Sequence, residues 1–128
     1  MHTPLSPTTI HPPFSAYSNG VEVPAGQKLV FCSGQLGITK DQVIPAGAEA
    51  QAMLCFDNIE AILGEAGLGL EHVVRINAFV TAREHLRPYM DARNKRFAPP
   101  FPARSTIQVE ALPRGGLIEI DLIALLPA

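Results

Sequence analysis

The stretch "ARSTIQVEALPRGGLIEIDLIALL", residues 103–126, decides how the fold is read. Two alternating runs, 103–112 and 117–126, flank Pro113-Arg114-Gly115-Gly116. Alternation marks a half-buried strand. A glycine-rich connection of four residues between two such runs predicts a β-hairpin. Ile107, Val109, Ala111, Ile118, Ile120, Leu122 and Ala124 form the face expected to meet the core. The other face carries Arg104, Thr106, Gln108, Glu110, Glu119 and Asp121, mixed with Leu117, Ile123 and Leu125. A hairpin that pairs Leu112 with Leu117 sets Glu110 opposite Glu119. It separates Arg104 from Glu119 by about 20 Å at the rise of a strand. The two then meet only across a boundary between subunits.

Upstream, the punctuation is short. Asn19-Gly20 predicts a tight hairpin or turn. "KLVFCSGQLG", 28–37, is an apolar run ending in glycine and reads as a buried strand. Across 47–66 the period changes. Ala52, Phe56, Ile59, Leu63 and Ala66 recur at spacings of three and four, which predicts an amphipathic helix. Gly67 and Leu68 follow as a glycine C-cap with its hydrophobic partner. "VVRINAFVT", 73–81, alternates and predicts a strand, with Val74, Ile76, Ala78 and Val80 on one face. Leu86, Met90, Arg93 and Phe97 predict a second helix over 84–97, with Pro88 in its first turn.

The resulting order is β-β-α-β-α-β-β. It predicts an α+β domain spanning 1–128: a single mixed β-sheet with two helices packed on one face. The uncovered face would leave Phe79, Leu117, Ile123 and Leu125 wet. Association through that face, as a closed ring or barrel of identical subunits, removes the problem.

Composition narrows the function classes. The chain has 128 residues, 47% hydrophobic and 17% charged, with a net charge of −2. Its densest basic cluster, Arg93, Lys95 and Arg96, reads as a solvated helix face, too small for a nucleic-acid groove. No apolar run approaches the roughly 20 residues that cross a bilayer. The start, "MHTPLSPTTIHPPF", holds four prolines and no apolar core of a secretory signal. Cys32 and Cys55 lie in buried-looking elements and fit a reducing cytoplasm, where they act as small hydrophobes. The four histidines show no ligand spacing, and Ser33 sits in no G-x-S-x-G elbow.

Several stretches together resemble the RidA (YjgF) family of imine deaminases. They are "AYSNGV" (16–21), "CSGQLG" (32–37), "AQAMLCFDNIEAILGEAGL" (50–68), "VVRINAFV" (73–80), "FPARSTIQVEALP" (101–113) and "IEIDLIA" (118–124). The resemblance implies a chorismate-mutase-like α+β fold and a trimer with clefts between subunits. It also implies hydrolysis of 2-iminobutanoate- or 2-iminopropanoate-type imines and enamines to 2-oxo acids and ammonia, with no metal or organic cofactor. By the same resemblance, Arg104 grips the substrate carboxylate, as a planar guanidinium does well. Glu119 positions and deprotonates water. Ser33, Gly34 and Thr106 line the pocket, and Tyr17 stands at its mouth. Asp121 and Glu110 share the predicted face of Glu119, and residue types alone do not choose among the three. The chain departs from the family in three places: Thr106 stands where many members have cysteine, Met90 where they have a second-helix asparagine, and the stretch between that helix and "FPARS" is shorter. These departures imply a reshaped pocket. A non-catalytic trimer binding a carboxylate metabolite is the alternative reading. Endoribonuclease activity, reported for some relatives, is disfavoured by the acidic balance.

Overall fold

The structure is a computed structural model and describes residues 2–127. Its strands are β1 (Thr3–Leu5), β2 (Gly20–Glu22), β3 (Lys28–Leu36), β4 (Val73–Val80), β5 (Ala103–Gln108) and β6 (Ile118–Leu126). Two helices, α1 (Ala48–Gly64) and α2 (Leu86–Arg96), fall where the 3.6-residue period placed them. The α1 stripe of Ala52, Cys55, Phe56, Ile59 and Leu63 is completely buried. Phe56 packs edge-on against Phe97, with centroids 5.5 Å apart, and beside Tyr89 of α2. Burial of a side chain of that size contributes roughly 1.5–3 kcal/mol. Gly67, at φ 73°, ends the helix, and Leu68 N–H donates to Leu63 O at 2.9 Å.

The main sheet is mixed, in the order β3-β6-β4-β5. Strand β6 runs antiparallel to both β3 and β4, and β4 is parallel to β5. The predicted hairpin between 103–112 and 117–126 is therefore not formed. Strand β5 stops at Gln108, and the chain crosses the end of β4, where Thr81 N–H donates to Leu117 O. Burial explains the choice. A central strand is covered by ladders on both sides, and β6 is the most apolar run of the pair. The shorter and more polar β5 suits the edge.

The pairing also reverses the expected faces of β5. Arg104, Thr106 and Gln108 align with Ile76, Ala78 and Val80, whose side chains face the helices. Ile107 aligns with Phe79 on the uncovered face and is half exposed. For β6 the expected split holds: Ile118, Ile120, Leu122 and Ala124 are buried.

Asn19-Gly20 is not a hairpin turn. Gly20 opens β2, which pairs with β1 to make a separate two-stranded ribbon. The architecture is α+β with two sheets rather than one. The intervening segment includes Pro7, Pro12 and Pro13, which have no N–H to give a ladder. The uncovered face of the main sheet exposes Phe31 and Leu29 of β3 and Ile107 of β5. Among the described residues no helix is long and apolar enough to cross a membrane.

Candidate active site

One cluster forms at the start of β5. Ser18 ties the incoming N-terminal segment to it: its N–H donates to Pro102 O at 3.1 Å and its hydroxyl to Phe101 O. This anchor stacks the Tyr17 ring on Arg104, with Cζ 4.2 Å from the ring centroid. Arg104 Nη1 donates to Thr106 Oγ1 at 3.1 Å, so the fork is aligned from its own strand. Its Nε is buried and has no hydrogen-bond partner among the described residues. No carboxylate forms an ion pair with Arg104 among the described residues. Burial, followed by the nearby Arg93 charge, lowers its pKa. A half-buried guanidinium without a counter-ion carries an uncompensated desolvation cost.

A second cluster forms where β3 meets β6. Cys32 pairs with Leu122 but Gln35 with Ile120, so Ser33 and Gly34 together oppose Asp121 in a β-bulge. Glu119 lies beside Leu36 on one side and Phe79 on the other. Its carboxylate rests against Gly34: a Cβ built there would stand 2.8 Å from Glu119 Cδ and Oε1. Glycine is needed here because the carboxylate occupies the side-chain space. Helix α1 fixes the strand end behind the bulge through Asn58 Nδ2, which donates to Leu36 O and Ile38 O. A shallow basin lined by Phe31, Ser33, Gly34, Asn77 and Asp121 opens beside it.

The geometry separates the carboxylates that residue type left equal. Asp121 Oδ1 is committed, accepting from Asn77 Nδ2 at 2.8 Å. Glu110 lies beyond β5 and is exposed. Glu119 makes no hydrogen bond or ion pair among the described residues, which leaves its oxygens free for water.

Within one protomer the two clusters do not meet. Arg104 aligns with Ile76 and Glu119 with Phe79, two strands apart and on opposite faces of the sheet. At about 3.3 Å per residue and 4.8 Å per strand, their backbones are roughly 14 Å apart. Tyr17, Arg104 and Thr106 form one group; Ser33, Gly34 and Glu119 form the other.

Three residues beside Arg104 carried no functional expectation. Arg93 of α2 is only 2% exposed, not part of a solvated face. The rest of that basic cluster is engaged: Arg96 pairs with Asp57 and Glu60, and Lys95 with Glu49. Tyr89, one turn before Arg93, is fully buried with its hydroxyl unpartnered. Burial raises its pKa, while the Arg93 and Arg104 charges pull it back. Ser15 accepts from Arg93 Nη2 at 3.0 Å. The available signal was Arg93's place in the apolar stripe of α2, where a solvated charge has no reason to stand. Met90 packs partly buried against the core.

A mixed sheet under two helices, with a free carboxylate at a glycine bulge and an arginine stacked on tyrosine, makes this an α+β protein. The family model described as "Endoribonuclease L-PSP" matches residues 8–126, and the chain belongs to that family, the RidA/YjgF family. Protein DfrA of Myxococcus xanthus is 36% identical over 97% of this chain and 92% of its own length. The 2-iminobutanoate/2-iminopropanoate deaminase of Bos taurus is 34% identical over 95% of this chain and 85% of its own. The crystal structure of the Rid-family protein YyfB from Yersinia pestis superimposes with a TM-score of 0.85, at 27% identity and 98% coverage of both chains.

Proposed function

We propose that this protein hydrolyses small 2-imino acids and their enamine tautomers to 2-oxo acids and ammonia. The observation that carries the reading is the Arg104 guanidinium, aligned by Tyr17 and Thr106, with a buried Nε and no counter-ion. The activity named for the bovine relative fits that seat.

The chemistry follows from the residues. Arg104 takes the substrate carboxylate bidentately and fixes the C=N carbon. The imine reacts as its N-protonated iminium, and Glu119 orients a water and accepts its proton as the oxygen attacks that carbon. The product is a neutral carbinolamine. Glu119 then returns that proton to the amine nitrogen and takes up the hydroxyl proton as the carbonyl forms and the C–N bond breaks, its electron pair leaving on ammonia. Holding water and imine together supplies much of the rate. The separation of Arg104 from Glu119 supports a site shared between subunits. The exposed Phe31, Leu29 and Ile107 supply an apolar face for the association, as a trimer. Ribonuclease action is not favoured: Lys95 and Arg96 are tied to acids and the net charge is −2.

The test couples the purified protein to a pyridoxal-phosphate dehydratase that releases 2-iminobutanoate. The expected result is faster appearance of 2-oxobutanoate and ammonia, lost in Arg104→Ala. Wild-type rates equal to buffer overturn the proposal.

A further inference from the structure

We propose that Arg93 is a second anion seat beside Arg104, and that the site takes a small dicarboxylic acid rather than a monocarboxylic one. This deepens the deaminase reading and rests on it for the identity of the reacting group.

Arg93 is almost completely buried, yet its Nε and Nη1 have no hydrogen-bond partner among the described residues. Its contacts are neutral: the Ser15 hydroxyl, the Asn94 carbonyl and the face of the Tyr89 ring, 5.7 Å from Cζ to centroid. A buried charge is normally paired, because desolvation penalises it heavily. No acid pairs with Arg93 among the described residues: Asp57 and Glu60 pair with Arg96, Glu49 with Lys95, and Asp91 of α2 is exposed and unpaired.

The two arginines are close neighbours: both charges act on the Tyr89 hydroxyl, and that of Arg93 acts on Arg104. Ser15 holds Arg93, Tyr17 stacks on Arg104, and both belong to one turn closed by Tyr17 N–H donating to Ser15 O at 3.0 Å. Arg104 Nε and the Tyr89 hydroxyl are also buried and unpartnered. Three guanidinium nitrogens on two side chains thus lack acceptors among the described residues, and the two fixed charges are both positive. A monocarboxylate on Arg104 leaves Arg93 uncompensated. A second carboxylate on the same ligand neutralises it, replaces the Ser15 contact, and accepts from Tyr89. Entry comes from the half-exposed Arg104 side and requires the 15–18 turn to shift. The substrate class is then a 2-imino dicarboxylate, its 2-carboxylate on Arg104 and its distal carboxylate on Arg93.

The experiment measures binding of product-like probes to the intact wild-type protein by calorimetry. Oxaloacetate and 2-oxoglutarate are compared with pyruvate and 2-oxobutanoate. At least one dicarboxylate is expected to bind about tenfold or more tighter than either monocarboxylate. Arg93→Met removes that preference while leaving pyruvate affinity within about twofold; Arg93→Lys, which keeps the charge, retains part of it. Equal binding of both classes by the wild type overturns the proposal without any variant. So does an Arg93→Met protein that weakens both classes alike. So does one whose only change is loss of oligomer on gel filtration, since Arg93 would then be serving a carboxylate of a second copy. Hydrolysis is scored separately: dicarboxylate preference without turnover removes the deaminase reading and keeps the second seat, and turnover without preference does the reverse.

Discussion

Replacing Gly34 by alanine separates the fold from the chemistry. The added Cβ would stand 2.8 Å from Glu119 Cδ and Oε1 and 3.1 Å from Cγ, where ordinary contact begins at 3.4 Å. The carboxylate must therefore retreat by about 0.6 Å or rotate away. Because it ends a flexible side chain, the retreat costs about 0.5–1.5 kcal/mol of rotamer energy. Gly34 is not among the glycines with positive φ, so alanine suits its backbone. The stiffer unfolded chain returns about 0.4–1 kcal/mol. Net stability should change by no more than about 1 kcal/mol, and Tm by about 5 °C or less. Activity should not be spared. Displacement of a catalytic group by 1 Å costs about a hundredfold, so a shift of this size predicts a loss of about tenfold or more in kcat for ammonia release. The assay is the dehydratase-coupled imine hydrolysis, run beside a thermal melt. A Gly34→Ala protein with wild-type kcat would refute the placement of Glu119 at the reacting carbon. So would a full further loss on adding Gly34→Ala to Glu119→Gln, because the substitution acts through Glu119 and should add little once that carboxylate is gone.

Arg104→Lys should lower kcat/KM by about 10- to 100-fold with little change in Tm, since an ammonium loses the bidentate grip and the Tyr17 stack. Gly37→Ala should do the opposite, removing the fold: its Cβ would lie 2.2 Å from Gln51 O and 2.6 Å from Gln51 Cα, backbone atoms of α1 that cannot step aside. A loss of about 3 kcal/mol or more is expected from urea denaturation. Burial and the Glu119 charge push the Cys55 thiol from 9.0 up to about 12. A thiol whose folded pKa is raised favours folding fully below pH 9 and loses that contribution as pH rises towards 12. Thermal melts should therefore show an alkaline decline over that window, shallower in Cys55→Ala, and thiol reagents at pH 8 should label Cys55 only after unfolding.

The elements legible in the sequence were those written in local periodicity. Helix α1, its Gly67 stop, the faces of β4 and the buried set of β6 all follow from spacings inside one segment. Pairing was not local. The loop at 113–116 carries the chemistry of a tight connection, and Arg114 and Gly115 do take positive φ there. It links strands that are not neighbours, because β6 gains more burial between β3 and β4 than beside β5. Alternation fixes which residues share a face but not which face meets the helices, so β5 was turned over until its register with β4 was known. The site shows the same division. Residue types and the family resemblance singled out Tyr17, Ser33, Gly34, Arg104, Thr106 and Glu119. The bulge that aims Gly34 at Glu119, and the burial of Arg93, are properties of packing.

The central place of β6 has a consequence for synthesis. Strands β3 and β4 have no ladder to each other; each is joined through β6, the last of the described strands. While the polypeptide emerges from the ribosome, two apolar strands and both helices wait without the element that unites them. The sheet closes only once β6 has been made. Loss of β6 would leave β3 and β4 with exposed, aggregation-prone edges rather than a smaller working sheet.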